Sequence, residues 1–527
     1  MNARSPVDTR TIATTAGVLF LWSLIPLALL VVSVLRHGGV LSGSDGFLPG
    51  TDQQLYLTFV RESRGDLLIS NEYRLGDSQD VYLHPMYGIS GLVSQLGLGL
   101  KVALLLWKPV AAFALAAGTW LYVRRFLEGR GRAAAAVLGL FFLPPIFPVL
   151  NWADSAGEGL RHLFFMIGTT EMSPAMQLWG YLHAALTIGL MPLFLLGVER
   201  LLDPSRRRPG RGSQWYLGWV SAAGLILGWL HPWKGATLLA ILFGVAAWGR
   251  LNRRYLILGV PAAAIVAPMA YLALLPVIDR DWDVYAPQNV AFHMPLWMLA
   301  AVVLPLGLPA LLSIGRVRPA DEGTRMLLLW PPAGLAVYFL TDQFPFHALQ
   351  GLSIPLAILA VEGFRRTRLP SAAAVAAVAV LTLPGVAFAV DTFQGSRDLR
   401  HSPYILHPDE DAALRHLAAA PRRNGVLARL YLGMTVPSHT GHDTWLGQYP
   451  WTPDFNERRP QAEELFTGQM PPAAARRFVR RVGASYLLTD CQTSKVDLEP
   501  LLGDLVERTH RFGCAAVYEL APGQRSP

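Results

Sequence analysis

The chain has 527 residues, of which 52% are hydrophobic and 16% charged, with a mean hydropathy of +0.34. That composition excludes a disordered chain and an ordinary soluble enzyme, and it is the composition of a polytopic membrane protein with room for one modest soluble domain. The formal net charge of +8 does not point to nucleic acid, because the basic residues form short knots between apolar runs and no basic stripe is interleaved with aromatics.

Arg4 and Arg10 precede an apolar run over 13–35. The run is too long for a secretory signal core and ends in Arg36-His37-Gly38-Gly39 rather than a small-residue cleavage site, so it reads as an uncleaved first crossing. A long polar loop over 36–98 follows, holding Asp45, Asp52, Asp66, Asp77, Asp80, Arg61, Arg64, Arg74 and His84. Its last stretch, 83–98, is apolar but short, and is expected to lie in the membrane interface or re-enter rather than cross.

Further crossings are expected over 102–123, 133–150, 177–202, 215–230, 236–248, 255–277, 296–312, 326–340, 348–361 and 372–390, about eleven in all. Basic knots at Arg124 to Arg132, Arg206 to Arg211, Arg250 to Arg254, Arg316 to Arg318 and Arg365 to Arg368 all fall on one side. The loops rich in Asp, Glu, His and Trp fall on the other. This alternation puts the amino terminus in the cytoplasm and the carboxyl end outside, in an inner (plasma) membrane protein of many passes.

From Asp391 the hydropathy falls. Asp409, Glu410 and Asp411 open a helix to about Ala420, acids being favoured in a first turn. The segment 425–432 is strand-like, 457–466 and 472–482 are helix-like, 484–490 is a strand, 498–507 is helical and 515–520 is a final strand. The fold class expected is therefore mainly α: a polytopic transmembrane bundle over 1–390 with a small extracytoplasmic α/β domain over 391–527. Cys491 and Cys514 are the only cysteines. A disulfide and a pair of separate buried thiols are equally good accounts of them.

Asp52, in Pro49-Gly50-Thr51-Asp52, stands at the expected start of an amphipathic helix. An N-cap for a helix beginning near Gln53 explains it without chemistry, although capping and catalysis are compatible. Cationic and polar groups expected on the outer side are Arg74, His84, Arg161, His231, Trp233, Lys234 and His347. Lys234 beside Trp233 is the most attractive anion ligand, with snorkelling beside an interfacial tryptophan as the bland alternative.

Asp154, Glu158 and Glu171 offer carboxylates to orient an acceptor or take a divalent cation, solvated loop acids being the plainer account of each. Asp279, Asp281 and Asp283 form another loop cluster. His439, His442 and Asp443 have ligand-like spacing without a second ligand pair, which favours a structural or glycan-contacting loop over a metal centre. Trp445 and Trp451 fit core packing better than sugar stacking. His183, inside a crossing, is expected to face the bundle interior.

The order of these features resembles the GT-C fold of integral-membrane glycosyltransferases that use polyprenyl-phosphate-linked sugars. The resemblance rests on Asp52 in the first loop, His84-Pro85 opening an interfacial helix, the late segment FPFHALQGLSIPLAILAVEGF, and the tail segments HTGHDTWLGQYPWTPDFNERR and VGASYLLTD. It implies transfer of a hexose or pentose from a lipid-linked donor to an envelope glycan, lipid or protein acceptor on the extracytoplasmic side. Asp52 would be the general base of an inverting displacement, and His84, Arg74, Glu158, Arg161, Glu171, His231, Trp233, Lys234 and His347 would hold substrates. No resident cofactor is implied, and a divalent cation stays open. A lipid-linked saccharide transporter or flippase, or an oligosaccharide ligase, is the alternative. A transporter would be expected to spread ionisable groups through its helices, rather than gather them at one face.

Overall fold

The computed structural model describes residues 9–45, 50–76, 78–144, 171–279, 282–284, 293–315, 317–365, 404–422, 424–492 and 496–521, with 373 and 376. The last expected crossing, 372–390, lies outside them but for those two residues. The chain forms two compact units. One comprises Met1–Ile25, Leu106–Ala273 and Val290–Thr392, and the other Pro26–Leu105, Leu274–Asn289 and Phe393–Pro527.

The first unit is helical. Among the described residues, Thr9–His37, Leu100–Phe126, Leu182–Leu202 and Arg253–Ile278 are long and apolar enough to span a bilayer. Pro232–Trp248, Leu296–Leu312 and Ser353–Phe364 are shorter apolar helices. The protein is thus a mainly helical membrane protein. Helix ends are marked by charge: Arg124 and Arg125 close Trp107–Phe126, and the Asp321 carboxylate caps Glu322–Leu340 by accepting from Thr324 N at 2.8 Å. Arg125 joins two of these ends to a third, meeting Glu199 at 2.7 Å and Asp321 at 2.6 Å.

With lipid tails on the outside, apolar helices gain little by merely touching, and close backbone approach through small residues does the work. Helices Trp107–Phe126 and Leu182–Leu202 meet this way. A Cβ on Gly118 would stand 2.0 Å from Gly189 O, and one on Gly189 would stand 2.3 Å from Ala114 C. Nearby, the buried Lys108 donates from Nζ to Ser23 O and Leu178 O, each at 2.9 Å, and Trp22 stacks on Trp179 at 4.7 Å.

The second unit contains a four-stranded sheet in the order Val426–Ala428, Tyr486–Thr489, Ala515–Leu520, Val506–Phe512. The first pair is parallel and the others antiparallel. Alternation along the strands sends Leu427, Leu487, Ala516 and Tyr518 into a core with helices Phe455–Phe466 and Pro472–Val482. It sends Val426, Ala428, Tyr486, Leu488 and Val517 to the opposite face, against helix Pro408–Ala419. The sheet-bearing unit also includes residues 26–105, so the first loop packs with the carboxyl-terminal segment.

Two expected elements differ. The helix expected over 498–507 is limited to Glu499–Leu502 and a 3-10 turn, after which Val506–Phe512 is a strand paired to Ala515–Leu520. That hairpin supplies partners for its backbone which an isolated short helix would lack. The expected strand over 425–432 ends at Ala428 and becomes a helical turn at Leu430–Gly433. Cys491 and Cys514 form a disulfide.

Replacing Gly118 by Leu should separate the two helices, cost about 1–3 kcal/mol of stability or more from overpacking alone, and lower the melting midpoint of detergent-solubilised protein. The same change at Gly17, with nothing within 4 Å, should have little effect.

Candidate active site

Asp52 lies in the first turn of helix Gly50–Glu62, not at its N-cap. A carboxylate there still complements the helix dipole. It is half-buried, and Gln448 Nε2 donates to its Oδ1 at 2.5 Å. The Gln448 position is set by a tight approach of backbone to ring: a Cβ on the preceding Gly447 would stand 2.2 Å from Tyr73 Cδ1.

The same seam continues along both segments. Arg61 donates from Nε to Ser438 O at 2.9 Å and from Nη2 to His439 O at 2.7 Å. Ser438 Oγ donates to Gln54 Oε1 at 2.8 Å, Thr444 N donates to Glu72 O at 2.9 Å, and Asn71 Nδ2 donates to Trp451 O at 3.0 Å.

His84 is the residue before helix Pro85–Gln95, with extended backbone and no side-chain cap. Its ring is buried and stacks on Tyr87 at 4.0 Å, and burial pushes its pKa down to about 3. It is therefore a neutral imidazole at working pH rather than a cation. The helix it opens buries Met86, Tyr87, Ser90 and Ser94 while exposing Ile89 and Leu92. Arg74 is exposed on the adjoining loop.

Beside Asp52's helix is an acid group of a different kind. Glu62, Glu72 and Asp443 lie close together, faced by Arg61, Arg64, Arg422 and Asp80. Burial, then the charge of Glu72, pushes Glu62 up to about 8. Burial and the bond to Asp443 also raise Glu72, whose Oε1 accepts from Ser70 Oγ at 2.9 Å. A cavity of about 450 Å³ adjoins, lined by Arg61, Glu62, Arg64, Gly65, Gln95 and Arg422.

In the first unit, five of the expected ligands come together. His231 precedes helix Pro232–Trp248, which carries Trp233 and Lys234 in its first turn. His347 stands in the 3-10 turn Pro345–Leu349, entered through Phe344 with φ +41°. A phenylalanine in this left-handed region costs of order 1 kcal/mol and fixes the direction of the turn.

Lys234 is fully buried, and its ammonium donates to Gln350 Oε1. Gln350 Nε2 lies 3.1 Å from His347 Nδ1, and Glu171 Oε2 lies 3.3 Å from the same nitrogen. Nδ1 has one lone pair or one proton, so it serves either the amide as acceptor or the carboxylate as donor. Among the described residues, Glu171 Oε1 and His231 Nδ1 are buried without a hydrogen-bond partner. Trp233 packs edge-on to His347 at 4.8 Å and donates to Gln343 O at 2.8 Å. The His183 ring lies 6.2 Å from that of His231.

Glu158 and Arg161, with Asp154, Asp77 and Asp281, lie outside the described residues. His439 and His442 bond backbone carbonyls, Thr435 O at 3.1 Å and Leu417 O at 2.9 Å. Trp445 belongs to the core, and Trp451 packs against Trp282 at 4.9 Å. Gln448, Gln350 and Lys108 were not singled out by the sequence. An amide carries no charge pattern, and Lys108 sits in a run that reads only as a crossing.

No protein-family model matches the chain, and no curated protein matches it. Solved structures do. The apo oligosaccharyltransferase of Archaeoglobus fulgidus aligns with a TM-score of 0.52 at 11% identity, over 99% of this chain and 76% of that one. AglB from the same organism, solved with an inhibitory peptide and a dolichol-phosphate, gives 0.50 at 12% identity, over 99% and 75%. The mycobacterial arabinofuranosyltransferase AftD gives 0.51 at 16% identity, over 99% of this chain and 42% of its own length. The likeness is one of fold: the chain shares the GT-C fold of these membrane glycosyltransferases.

The raised carboxyls set a pH dependence. An acid whose folded pKa exceeds its unfolded value binds more protons when folded, so its contribution is fully present below the unfolded pKa and is lost as pH rises through the folded one. Stability of the second unit should therefore fall between about pH 4.5 and pH 8, and then level off. Glu72→Gln should flatten this slope, add on the order of 1–2 kcal/mol of stability at pH 8, and so raise the melting midpoint there. An unchanged pH profile would overturn the assignment of this slope to the raised carboxyls.

Proposed function

We propose that the protein is a membrane glycosyltransferase that moves a sugar from a polyprenyl-phosphate-linked donor to an envelope glycan, lipid or protein acceptor. The observation that carries this reading is the buried Lys234 ammonium, held by one amide oxygen in a setting of buried polar atoms. A buried cation is costly unless an opposite charge accompanies it; the Glu171 carboxylate is one such charge near Lys234, and a lipid phosphate would be a second. The shared fold supports the same reading, since one of the similar proteins was solved with dolichol-phosphate.

In this mechanism Lys234 and His231 bind the donor phosphate, and Trp233 with His347 orients them. The bond from the anomeric carbon to the phosphate oxygen breaks with its electron pair going to phosphate, an anion already stable enough to need a cation rather than a general acid. The acceptor hydroxyl oxygen bonds to the anomeric carbon as its proton passes to the Asp52 carboxylate. Gln448 holds that carboxylate in place, and the displacement is inverting.

The chemistry takes place on the extracytoplasmic side. The Cys491–Cys514 disulfide supports that placement of the carboxyl-terminal segment, since such bonds persist in oxidising compartments. In intact cells, a membrane-impermeant maleimide should label both cysteines only after a reductant is added; removing the bridge by Cys514→Ser should cost about 3 kcal/mol.

The functional test is mass spectrometry of envelope glycans and glycolipids in a strain lacking the gene, complemented at matched membrane levels. Asp52→Asn should lower product formation by roughly 10²–10⁴-fold with donor binding retained. Lys234→Met should act instead on the concentration of donor required. Equal restoration by wild type and Asp52→Asn would overturn the base assignment and move weight to transport of the lipid-linked saccharide.

A further inference from the structure

The second unit carries a cluster that neither the transfer chemistry nor the seam uses. His510 lies on strand Val506–Phe512 and Glu519 on its antiparallel neighbour Ala515–Leu520. The register pairs His510 with Val517, so Glu519, two residues further on, projects from the same sheet face as a diagonal neighbour. Helix Pro408–Ala419 packs on that hairpin and carries His416 in its last turn. The result is convergence of three side chains from three elements.

The His416 and His510 rings are 4.2 Å apart between centroids, and His510 Nε2 lies 2.9 Å from Glu519 Oε1. One ligand atom from each residue falls within 4.8 Å of the others. His416 Nε2 is buried without a hydrogen-bond partner among the described residues. Two imidazoles tilted at 39° to one another beside a carboxylate make poor mutual partners if both rings are protonated, and a good ligand set if both are neutral. All three residues are half-buried, which leaves a route from solvent.

We propose that His416, His510 and Glu519 bind one Zn²⁺ ion. Two imidazole nitrogens and a carboxylate oxygen are the donor set zinc takes at about 2.0–2.2 Å, with the fourth tetrahedral position left to water. Bound there, the ion ties the end of helix Pro408–Ala419 to the terminal hairpin, so binding stabilises the folded unit by mass action.

A neighbouring group of His407, Asp409, Cys491 and Cys514 is not an equal candidate, because both sulfurs are in the disulfide. The proposal stands whether or not the transferase reading does.

The test uses full-length protein stripped with EDTA and dialysed. Titration with ZnCl₂ should show one ion per chain by calorimetry and a raised melting midpoint, and Co²⁺ should give the visible absorption of a four-coordinate site. His416→Gln and His510→Gln should each abolish stoichiometric binding, Glu519→Gln should weaken it at least tenfold, and His407→Gln should leave it unchanged. His416→Gln should melt with the EDTA-treated wild type, which separates lost metal from lost folding. No stoichiometric zinc on the wild type, or full retention by the His416→Gln/His510→Gln double variant, would overturn the site.

Discussion

The second unit depends on a seam of hydrogen bonds between the helix and loop over 50–76 and the carboxyl-terminal residues 434–451. Arg61 spans two successive carbonyls, Gln54 takes the Ser438 hydroxyl, and Gln448 reaches the Asp52 carboxylate. Each bond contributes only on the order of 1 kcal/mol, but a buried donor or acceptor left without its partner costs more than the bond itself. The seam is therefore cooperative. Its register decides the direction of Asp52, and partial burial holds the carboxyls beside it above their usual pKa.

The first unit shows two solutions to one problem, a lysine buried among apolar helices. Lys108 is met by two backbone carbonyls, and this cation serves as a rivet between chain segments that lie far apart in sequence. Lys234 is met by the movable amide of Gln350. Backbone oxygens cannot turn away to release an ammonium, whereas an amide can. The first arrangement suits architecture, and the second suits a group that changes partners. His347 Nδ1, contested by Gln350 and Glu171, adds a second exchangeable link to the same chain.

Much of this was legible in the sequence, for identifiable reasons. Apolar runs ending in arginine knots located helices such as Trp107–Phe126, and the acid-rich turn of Asp409 to Asp411 located Pro408–Ala419. Helix Pro472–Val482 fell within the expected bounds because its apolar and basic positions alternate at helical period. His231, Trp233, Lys234, His347 and Glu171 were singled out because all were expected on one side of the membrane, but Arg74 and His84 shared that expectation and do not join them, so side alone did not predict the gathering. What was not legible depends on tertiary partners. Val506–Phe512 is a strand because Ala515–Leu520 is there to pair with it. Gln448 and Gln350 have meaning only beside Asp52 and Lys234, and His416 is joined to His510 and Glu519 only by the sheet register.

The discontinuous make-up of the second unit bears on its biosynthesis. Asp52 and Gln448 are 396 residues apart in the chain. At ordinary elongation rates, about 20–80 s separate their emergence from the ribosome. During that interval Arg61, Gln54 and the acid group have been made but their partners have not, and closing so long a loop is slow compared with forming the intervening helices. The first loop must wait, hydrated and unpaired, while most of the helical unit is threaded into the bilayer. Synthesis thus builds the scaffold before it can assemble the surface on which Asp52 is aimed, and a truncated chain lacking residues 434–451 would carry an intact Asp52 without the Gln448 amide that holds it.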